Sequence, residues 1–425
     1  MQVFASGTKH LLRCFISKTS RRPNHHRLFS VSTTLTAPIS STSRPRVAVI
    51  YQSLEPPIID GVQKPKKPGG YMDSGADIAY NLSLSPEVDV VCPINDPKPE
   101  EQAGWSFPDT EDGILQAAEK GATHVWANTI LFATHPLQAS ARLAEYQDRI
   151  RIVGQSPLIV EKYDDKEFVN DLLRKLGGFT MPRSWTIHDG SDIERDLRGL
   201  NLPFPIVAKP IRGRGSHGVR VCRGLQDLTK HAQALFKESP AILLEEFLTG
   251  EEATVTVMPP VSGKGGYWAL PVVTRFNHVD GVAPYNGAVA VTANSRAITT
   301  SESNEAAYKQ VAEECERAAQ ELAVTAPIRI DVRRFQDSAD SKFALFDVNM
   351  KPVCLSLPAA LKNVADNFRL QNMTGPGRPG REYQASLTLL SGEALGWDYQ
   401  ELLRRILGTS STLRTLRELK PRQLT

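Results

Sequence analysis

A glycine-rich loop beside a lysine is the first segment of the sequence that could do chemistry. Gly213, Gly215 and Gly218 satisfy the pattern G-x-G-x-x-G, and the strand-like run FPIVAKP comes before them. In a dinucleotide-binding fold the third glycine opens a helix whose N-terminus meets the pyrophosphate. Here residues 219–222, with the sequence VRVC, continue as a second strand. We therefore predict that the loop is the tip of a β-hairpin.

Such a hairpin tip could bind phosphates, because the absence of side chains lets backbone N–H groups approach oxygen atoms. The pattern alone fits a plain flexible turn equally well. Lys209, at the end of the leading strand, and Lys166, in the helix before it, favour phosphate binding. Both ammonium groups could reach phosphates that lie under the hairpin.

Acidic and amide side chains lie on two later strand-like segments. Asp331 falls among alternating apolar residues in PIRIDVRRF, while Asp347 and Asn349 are two residues apart in FALFDVNMKP and so share one face of a strand. Carboxylate and amide oxygens suit Mg²⁺, which is usually held by one or two carboxylates plus substrate phosphates. Arg329 shares the face of Asp331 and could bind a carboxylate or an oxyanion. The alternative is a salt bridge on an edge strand, but the four residues together favour a metal site.

The elements that must position these residues change in type along the chain. From about residue 46 to residue 160, β-branched strands such as VAVIY alternate with helices, which indicates a parallel α/β lobe. Residues 161–395 contain mostly strands joined by turns, which indicates antiparallel pairing. Residues 396–425 are expected to form a C-terminal tail that is helical at YQELLRRIL and polar beyond it.

Residues 1–45 have the composition of a targeting leader. They are rich in Arg, Ser and Thr and carry scattered apolar residues around LLRCFISK. They contain no acidic residue, since the first one in the chain is Glu55. This composition is typical of an amphipathic transit peptide and predicts import into mitochondria. An ordinary disordered tail on a cytoplasmic protein is the alternative.

Composition excludes several classes of partner and cofactor. The net charge is +3, but eight basic residues lie in the first 46 positions, which leaves the remainder mildly acidic and without reason to bind nucleic acid. No stretch approaches the roughly 20 apolar residues that cross a bilayer. The five cysteines show no metal-pair spacing. We therefore expect small-molecule substrates, and neither nucleic acid nor a membrane as partner.

Together the motifs resemble the ATP-grasp superfamily, most closely D-alanine–D-alanine ligase and related carboxylate–amine ligases. The likeness runs from about residue 166 to residue 358, and the motifs stand in the family's order as DDK, FPIVAKP, RGRGSHG, LLEEFLTGEE, RIDV, DVN and SLP. The resemblance implies a fold of α/β and α+β class. Residues 46–160 would be the pre-ATP-grasp lobe, and residues 161–395 would be the ATP-grasp domain, with two subdomains that close on ATP.

The resemblance also implies an ATP site, in which lysines and glycines hold the phosphates, a hinge at residues 245–248 reads adenine through its main chain, and an acidic residue binds the ribose. The residues at these positions are Lys166, Lys209, Gly213, Gly215, Gly218, Glu245, Glu246, Phe247, Leu248 and Glu252.

Further residues stand where the family performs its chemistry. Asp331, Asp347 and Asn349 would bind two Mg²⁺ ions, with Mn²⁺ as an alternative. Arg329 and Ser216 would flank the reacting carboxylate as catalytic residues, and Ser356 would contact the carboxylate of the acceptor. The implied activity is a ligase that activates a carboxylate as an acyl phosphate and couples it to an amine, as a monomer or a homodimer.

The chain departs from the family pattern where the donor would bind. The family's first strand leads into a glycine-rich segment with a glutamate that binds the donor's amino group, whereas YQSLEPPIIDG, with Glu55, follows here. A changed donor substrate is therefore expected. An ATP-grasp carboxylase or thiol ligase, and a catalytically weak ATP-binding subunit, are the alternative interpretations.

Overall fold

The computed structural model describes residues 44–63, 66, 68–190, 192–213, 216–261, 265–278, 280–282, 291–350, 375–382 and 384–424. The predicted leader, Gly215 and Ser356 lie outside these residues. Residues 44–425 form one unit by their contacts. No described helix is both long and apolar enough to cross a membrane.

The N-terminal lobe is built on a mostly parallel sheet. Its strands are Arg46–Tyr51 (β1), Asp89–Val90 (β4), Ser106–Pro108 (β5), His124–Asn128 (β6) and Arg151–Val153 (β7), with a small hairpin of Ile58–Ile59 (β2) and Val62–Gln63 (β3). Its helices are Met72–Ser83 (α1), Glu111–Glu119 (α2), Pro136–Ala139 (α3), Pro157–Tyr163 (α4) and Lys166–Leu176 (α5), with 3-10 turns at Pro68–Tyr71 and Arg142–Tyr146.

Strand β1 lies at the centre of this sheet and pairs in parallel with β4, β5 and β6, while β7 pairs in parallel with β6. Val47 and Val49 pack on one face, and Ala48 and Ile50 pack on the other. All four side chains are fully buried. A strand covered on both faces needs a continuous apolar run rather than an alternating one, which explains the sequence VAVIY. The parallel α/β lobe expected from the sequence is confirmed.

A second sheet carries the glycine-rich loop. Its strands are Ser184–His188 (β8), Ile206–Pro210 (β9), Arg220–Cys222 (β10) and Ala241–Glu246 (β11), and its helices are Ile193–Gly199 (α6) and Leu225–Leu235 (α7). The order is β10-β9-β11-β8 with antiparallel pairing throughout. Because β9 and β10 pair directly on either side of the loop, the predicted hairpin is confirmed.

A third, antiparallel sheet carries the acidic residues. Its strands are Glu252–Met258 (β12), Trp268–Ala269 (β13), Val273–Arg275 (β14), Ser295–Ala297 (β15), Ile328–Arg334 (β16) and Phe343–Asn349 (β17), and its helices are Val291–Asn294 (α8) and Ala306–Glu321 (α9), with a 3-10 turn at Glu302–Asn304. The main order is β15-β14-β12-β16-β17, and β13 pairs with β12.

Strict alternation in this third sheet separates its two faces. Val255, Ile330 and Leu345 are almost fully buried and share a core with Val311 and Cys315 of α9. Burying each of the larger aliphatic side chains contributes about 1.5–3 kcal/mol. The intervening residues point away from α9 and form what we call the polar face, which comprises Glu252, Thr254, Arg275, Arg329, Asp331, Arg333, Asp347 and Asn349.

The C-terminal residues return to the first lobe. They form Leu387–Glu393 (α10), Tyr399–Leu407 (α11), Ser411–Thr412 (β18) and Leu413–Glu418 (α12). Strand β18 pairs antiparallel with β7, and Leu413 and Leu416 are fully buried. The stretch after YQELLRRIL therefore packs against the lobe instead of remaining polar and exposed.

Asp77 of α1 ties the chain between residues 375 and 382 to the first lobe. Its carboxylate is fully buried and accepts hydrogen bonds from Arg378 Nη1 at 2.7 Å and from Arg381 Nε at 2.8 Å. Arg378 Nη1 also donates to the carbonyl oxygen of Asp73 at 2.9 Å. The pairing satisfies a charge that would be costly to bury alone.

We predict that Asp77→Ala lowers the free energy of unfolding by about 3–5 kcal/mol, because two largely buried guanidinium groups lose their carboxylate. Denaturant unfolding followed by fluorescence measures the change. Asp148→Ala is the matched control, since Asp148 also pairs with an arginine, Arg414, but is 62% exposed. An equal loss in both variants would contradict the assignment of Asp77 as an anchor.

Candidate functional site

Lys209 lies at the centre of the candidate site. It is 4% exposed, and its Nζ lies 2.6 Å from Glu245 Oε2 and donates to the carbonyl oxygen of Phe346 at 3.0 Å. The register between β16 and β17 shifts at Phe346, which has no partner on β16. Such a bulge interrupts the ladder locally. This irregularity in β17 thus lies where the Lys209 ammonium reaches its main chain.

Lys166 reaches the same strand from helix α5. Asp165 caps this helix by accepting a hydrogen bond from Phe168 N at 3.0 Å. The Lys166 N–H donates to the carbonyl oxygen of Ile211 at 3.0 Å, which joins the start of α5 to the end of β9. The Lys166 Nζ then lies 2.5 Å from Asp347 Oδ1. The two lysines therefore approach β17 from two different elements.

The ion pair between Lys166 and Asp347 shifts both pKa values towards the charged forms. Burial alone would raise the pKa of the Asp347 carboxyl, but the charges of Lys166 and Lys209 hold that pKa below its usual value. Burial would likewise lower the pKa of the Lys166 ammonium, yet Asp347 raises it above its usual value. Both groups are therefore charged near neutral pH.

Asp331 lies beside this pair on the adjacent strand. It is 4% exposed and stands directly opposite Asp347 in the β16–β17 register. Its carboxylate accepts hydrogen bonds from Thr254 Oγ1 at 2.7 Å, Arg329 Nε at 3.1 Å and Asn349 Nδ2 at 3.1 Å. The structure thus brings together Arg329, Asp331, Asp347 and Asn349, which the sequence had placed on two neighbouring strands.

The oxygen-rich chemistry of this group fits Mg²⁺. Two carboxylates and an amide are hard ligands, and Mg²⁺ usually completes its octahedron with waters and substrate phosphates. Among the described residues, no three histidine, cysteine, aspartate or glutamate side chains are grouped to hold a metal ion alone. Asp331, Asp347 and Asn349 are therefore suited to hold metal together with the phosphates of a nucleotide.

The described part of the glycine-rich loop adopts a tight, left-handed path. Ser216 has a φ of 58° and Gly218 a φ of 72°. A Cβ at Gly218 would lie 2.7 Å from Leu235 Cδ2, and one at Gly213 would lie 2.9 Å from Pro210 Cγ, so both positions need glycine. Arg212 fixes the base of the loop by pairing with Asp165 at 3.2 Å.

The hinge that was expected to read adenine connects β11 to β12. The N–H groups of Glu246 and Phe247 donate to the carbonyl oxygens of Arg183 at 2.9 Å and Pro205 at 3.4 Å. Leu248 is buried. These two donors are already engaged within the protein, so main-chain recognition of a base at this hinge must use other groups.

Glu252, expected to bind the ribose, lies close to a histidine and an arginine. Its Oε2 lies 2.8 Å from His278 Nε2 and 3.5 Å from Arg333 Nη1, and the residue is 4% exposed. Arg333 Nη1 also donates to the carbonyl oxygen of Gly281 at 2.7 Å. The segment after β14 therefore lies against the carboxylate that a ribose would approach.

Sequence reasoning missed three polar-face residues. Thr254 and Arg333 contact Asp331 and Glu252, respectively, and Arg275 stands opposite Glu252 in the β12–β14 register. Arg275 is 4% exposed, and burial lowers the pKa of its guanidinium to about 10, which leaves it charged near neutral pH. The alternation in EATVTVM and VVTRF was the signal for these side chains.

A family model and several solved structures are similar to this chain. The family model described as D-ala D-ala ligase C-terminus matches residues 184–361, which include the glycine hairpin and the polar face. The D-alanine–D-alanine ligase of Bacillus anthracis, solved in complex with ATP, superposes with a TM-score of 0.53 at 16% identity, covering 88% of this chain and 99% of that one. Residues 184–361 are similar to the C-terminal part of the D-ala D-ala ligase family, and the chain has the fold of the D-alanine–D-alanine ligase of Bacillus anthracis.

The chain matches only part of the length of its sequence relatives. The D-alanine–D-alanine ligase of Aquifex aeolicus is 31% identical over 109 residues, which are 26% of this chain and 34% of that protein. The carbamoyl phosphate synthase large chain of Deinococcus deserti is 28% identical over 118 residues, which are 27% of this chain and 11% of that protein. The chain thus spans about a third or less of these curated relatives.

We predict that Lys209→Met weakens ATP binding tenfold or more, because a charged hydrogen bond to phosphate is worth about 1.5–3 kcal/mol. The variant should also lose stability, since Glu245 is left buried without its cation. The double variant Lys209→Met/Glu245→Gln should recover stability but not affinity. Calorimetric titration with ATP and thermal unfolding measure the two effects.

Lys237→Met, exposed in the turn that follows α7, serves as the matched control and should bind ATP like the unaltered chain. Full ATP affinity in the double variant would rule out phosphate binding by Lys209.

Proposed function

We propose that this chain is an ATP-dependent ligase that activates a carboxylate as an acyl phosphate and couples it to an amine. One observation carries the proposal. Two lysines, two carboxylates and an arginine from four different elements converge on one buried face, with contacts of 2.5–3.1 Å linking Lys166 to Asp347 and Arg329 to Asp331. Phosphoryl transfer to a carboxylate requires cations that bind the phosphates, ligands that hold a metal ion, and a guanidinium that binds the carboxylate through two N–H groups.

The first step would be attack of a carboxylate oxygen on the γ-phosphorus of ATP, with ADP leaving together with the electron pair of the broken P–O bond. Lys166 and Lys209 would bind the phosphate oxygens, and Arg329 would hold the attacking carboxylate in line. When held by Asp331, Asp347 and Asn349, Mg²⁺ would supply charge neutralisation at the transferring phosphoryl group.

The second step would be attack of an amine on the acyl carbon. A tetrahedral intermediate forms, the C–O bond to phosphate breaks, and the amide product and inorganic phosphate leave while the amine gives up a proton. Arg329 would donate hydrogen bonds to the oxyanion of this intermediate. Ser216, in the glycine loop, would border the same reacting carboxylate, and Ser356 would contact the acceptor; Ser356 lies outside the described residues.

A second candidate function follows from the likeness to the carbamoyl phosphate synthase large chain. An ATP-grasp carboxylase or thiol ligase would use the same phosphate and metal groups with bicarbonate or coenzyme A as co-substrate. A screen of acid and amine pairs for ADP release separates the functions. Release that requires one particular amine supports the proposed ligase, release that requires bicarbonate or coenzyme A supports the alternative, and ATP binding without any turnover supports a non-catalytic subunit.

We predict that Asp347→Asn lowers turnover by about a hundredfold or more while ATP affinity changes much less, because the metal-ligand charge acts mainly on charge that develops in the transition state. Steady-state ADP release with the cognate pair, beside nucleotide titration, measures both. Asp340→Asn, exposed in the turn of the same β16–β17 hairpin, is the matched control and should behave like the unaltered chain. Near-normal turnover in Asp347→Asn would remove the metal site.

We also propose that the leader before Arg44 directs the chain to mitochondria, on the basis of its composition. A chain that begins at Arg44 should bind ATP with the affinity of the full chain, because β1 begins at Arg46. Fluorescence microscopy of the full chain, tagged at its C-terminus, should show mitochondrial signal, and the chain without the leader should lose it. Cytosolic signal from the full chain would contradict the proposal.

A further inference from the structure

An apolar cavity lies at the carboxyl ends of the parallel strands β6 and β7. It has a volume of about 50 Å³ and opens between Trp126, Leu131 and Val153 of the first lobe and Met350 at the end of β17. Ligands of parallel α/β sheets bind outside the carboxyl ends of the strands. The cavity is therefore placed where the first lobe would meet a substrate.

The cavity adjoins the polar face. Met350 directly follows Asn349, whose Cα is only about 3.8 Å away along the chain, and Asn349 stands opposite Arg329 in the β16–β17 register. Ala326 and Pro327, which precede β16, line the same cavity. A carboxylate held by Arg329 would therefore have its substituents close to this cavity.

The polar groups that line the cavity already have partners in the protein. Gln155 Nε2 donates to Ala326 O at 2.6 Å, and its Oε1 accepts from Thr325 N at 2.9 Å. Thr129 Oγ1 donates to Asp109 Oδ2 at 2.5 Å, and Asn128 Nδ2 donates to Tyr71 O at 3.0 Å. The surface left for a ligand is mostly aliphatic and aromatic, so a polar side chain entering it would lose hydrogen bonds to water.

We propose that this cavity receives the side chain of the acid substrate and selects a short, branched aliphatic side chain. The inference rests on the proposed ligase function and deepens it by naming the class of acid. An apolar cavity of roughly 150 Å³ accepts benzene, so a cavity of about 50 Å³ accepts a few aliphatic carbons and excludes an aromatic ring. An acid substrate whose side chain is a hydrogen atom or a methyl group would leave the cavity partly empty.

The test uses the full chain with ATP, Mg²⁺ and hydroxylamine as the amine, so that no acceptor needs to be known. Hydroxylamine attacks the acyl carbon of the acyl phosphate and displaces inorganic phosphate, which gives a hydroxamate that is measured together with ADP. Glycine, alanine, valine, isoleucine, phenylalanine and aspartate are compared in both enantiomers where these exist, beside their 2-hydroxy analogues. We expect kcat/KM for the valine-type acid to exceed that for glycine by about tenfold or more, with phenylalanine and aspartate rejected.

Two variants change the cavity in opposite directions. Leu131→Ala enlarges it and should move the preference towards isoleucine and phenylalanine, while Val153→Phe fills it and should move the preference towards alanine and glycine. Leu143→Ala is the matched control, because Leu143 is fully buried in the same lobe but does not line the cavity. ATP affinity, measured by titration, should be unchanged in all three, which shows that each is folded.

The outcomes separate this inference from the proposed function. Turnover that does not depend on side-chain size, or a preference that neither variant moves, overturns the cavity assignment and leaves the ligase standing. ATP binding without ADP release or hydroxamate from any acid overturns the proposed function, and the cavity assignment with it.

Discussion

The buried charges of the candidate site neutralise one another in pairs, and the elements around the site are placed so that these pairs can form. Four ion pairs have N···O distances between 2.5 and 3.5 Å: Lys209 with Glu245, Lys166 with Asp347, Arg329 with Asp331, and Arg333 with Glu252. A buried charge without a partner costs several kcal/mol, so none of these residues could occupy its position alone. The Lys166–Asp347 pair joins helix α5 to the third sheet, and the hydrogen bond from Lys209 to the carbonyl oxygen of Phe346 joins the second sheet to the third.

The same pairing explains how the site could accept a nucleotide without a large electrostatic cost. Each lysine now bound to a carboxylate could exchange it for a phosphate, and each released carboxylate could bind a cation that the phosphates also bind. The balance of charge is then kept at every stage of the exchange. The bulge at Phe346 contributes to this arrangement, because the carbonyl oxygen of Phe346 accepts a hydrogen bond from Lys209 next to Asp347.

Much of this arrangement could be predicted from period and spacing. Alternation indicated that Asp347 and Asn349 share one face of FALFDVNMKP and that Arg329 and Asp331 share one face of PIRIDVRRF, because successive side chains on a strand point to opposite faces. The continuous apolar run VAVIY indicated a strand covered on both sides. The failure of the glycine pattern to open a helix indicated a hairpin, and the β9–β10 pairing bears this out.

Other features depend on contacts between distant parts of the chain, which local patterns do not encode. No spacing shows that Lys166 meets Asp347, that Lys209 meets Glu245, or that one residue of β17 is bulged. The buried position of α12 was missed because its polar residues dominate a short stretch, although Leu413 and Leu416 occur at helical spacing. For the donor substrate, the sequence indicated only that the chain departs from the family pattern. The cavity proposed for that substrate is formed by residues of the first lobe together with residues next to β16 and β17 of the third sheet, so no local pattern could predict it.

In the proposed reaction, one oxygen of the substrate carboxylate passes to the γ-phosphoryl group. The most direct measurement uses the acid that supports ADP release, labelled with ¹⁸O in both carboxylate oxygens, and mass spectrometry of the inorganic phosphate formed during amide synthesis. The proposed reaction places one ¹⁸O atom in each phosphate released, because the C–O bond of the acyl phosphate breaks when the amine attacks. Phosphate free of label, with amide still formed, would contradict it.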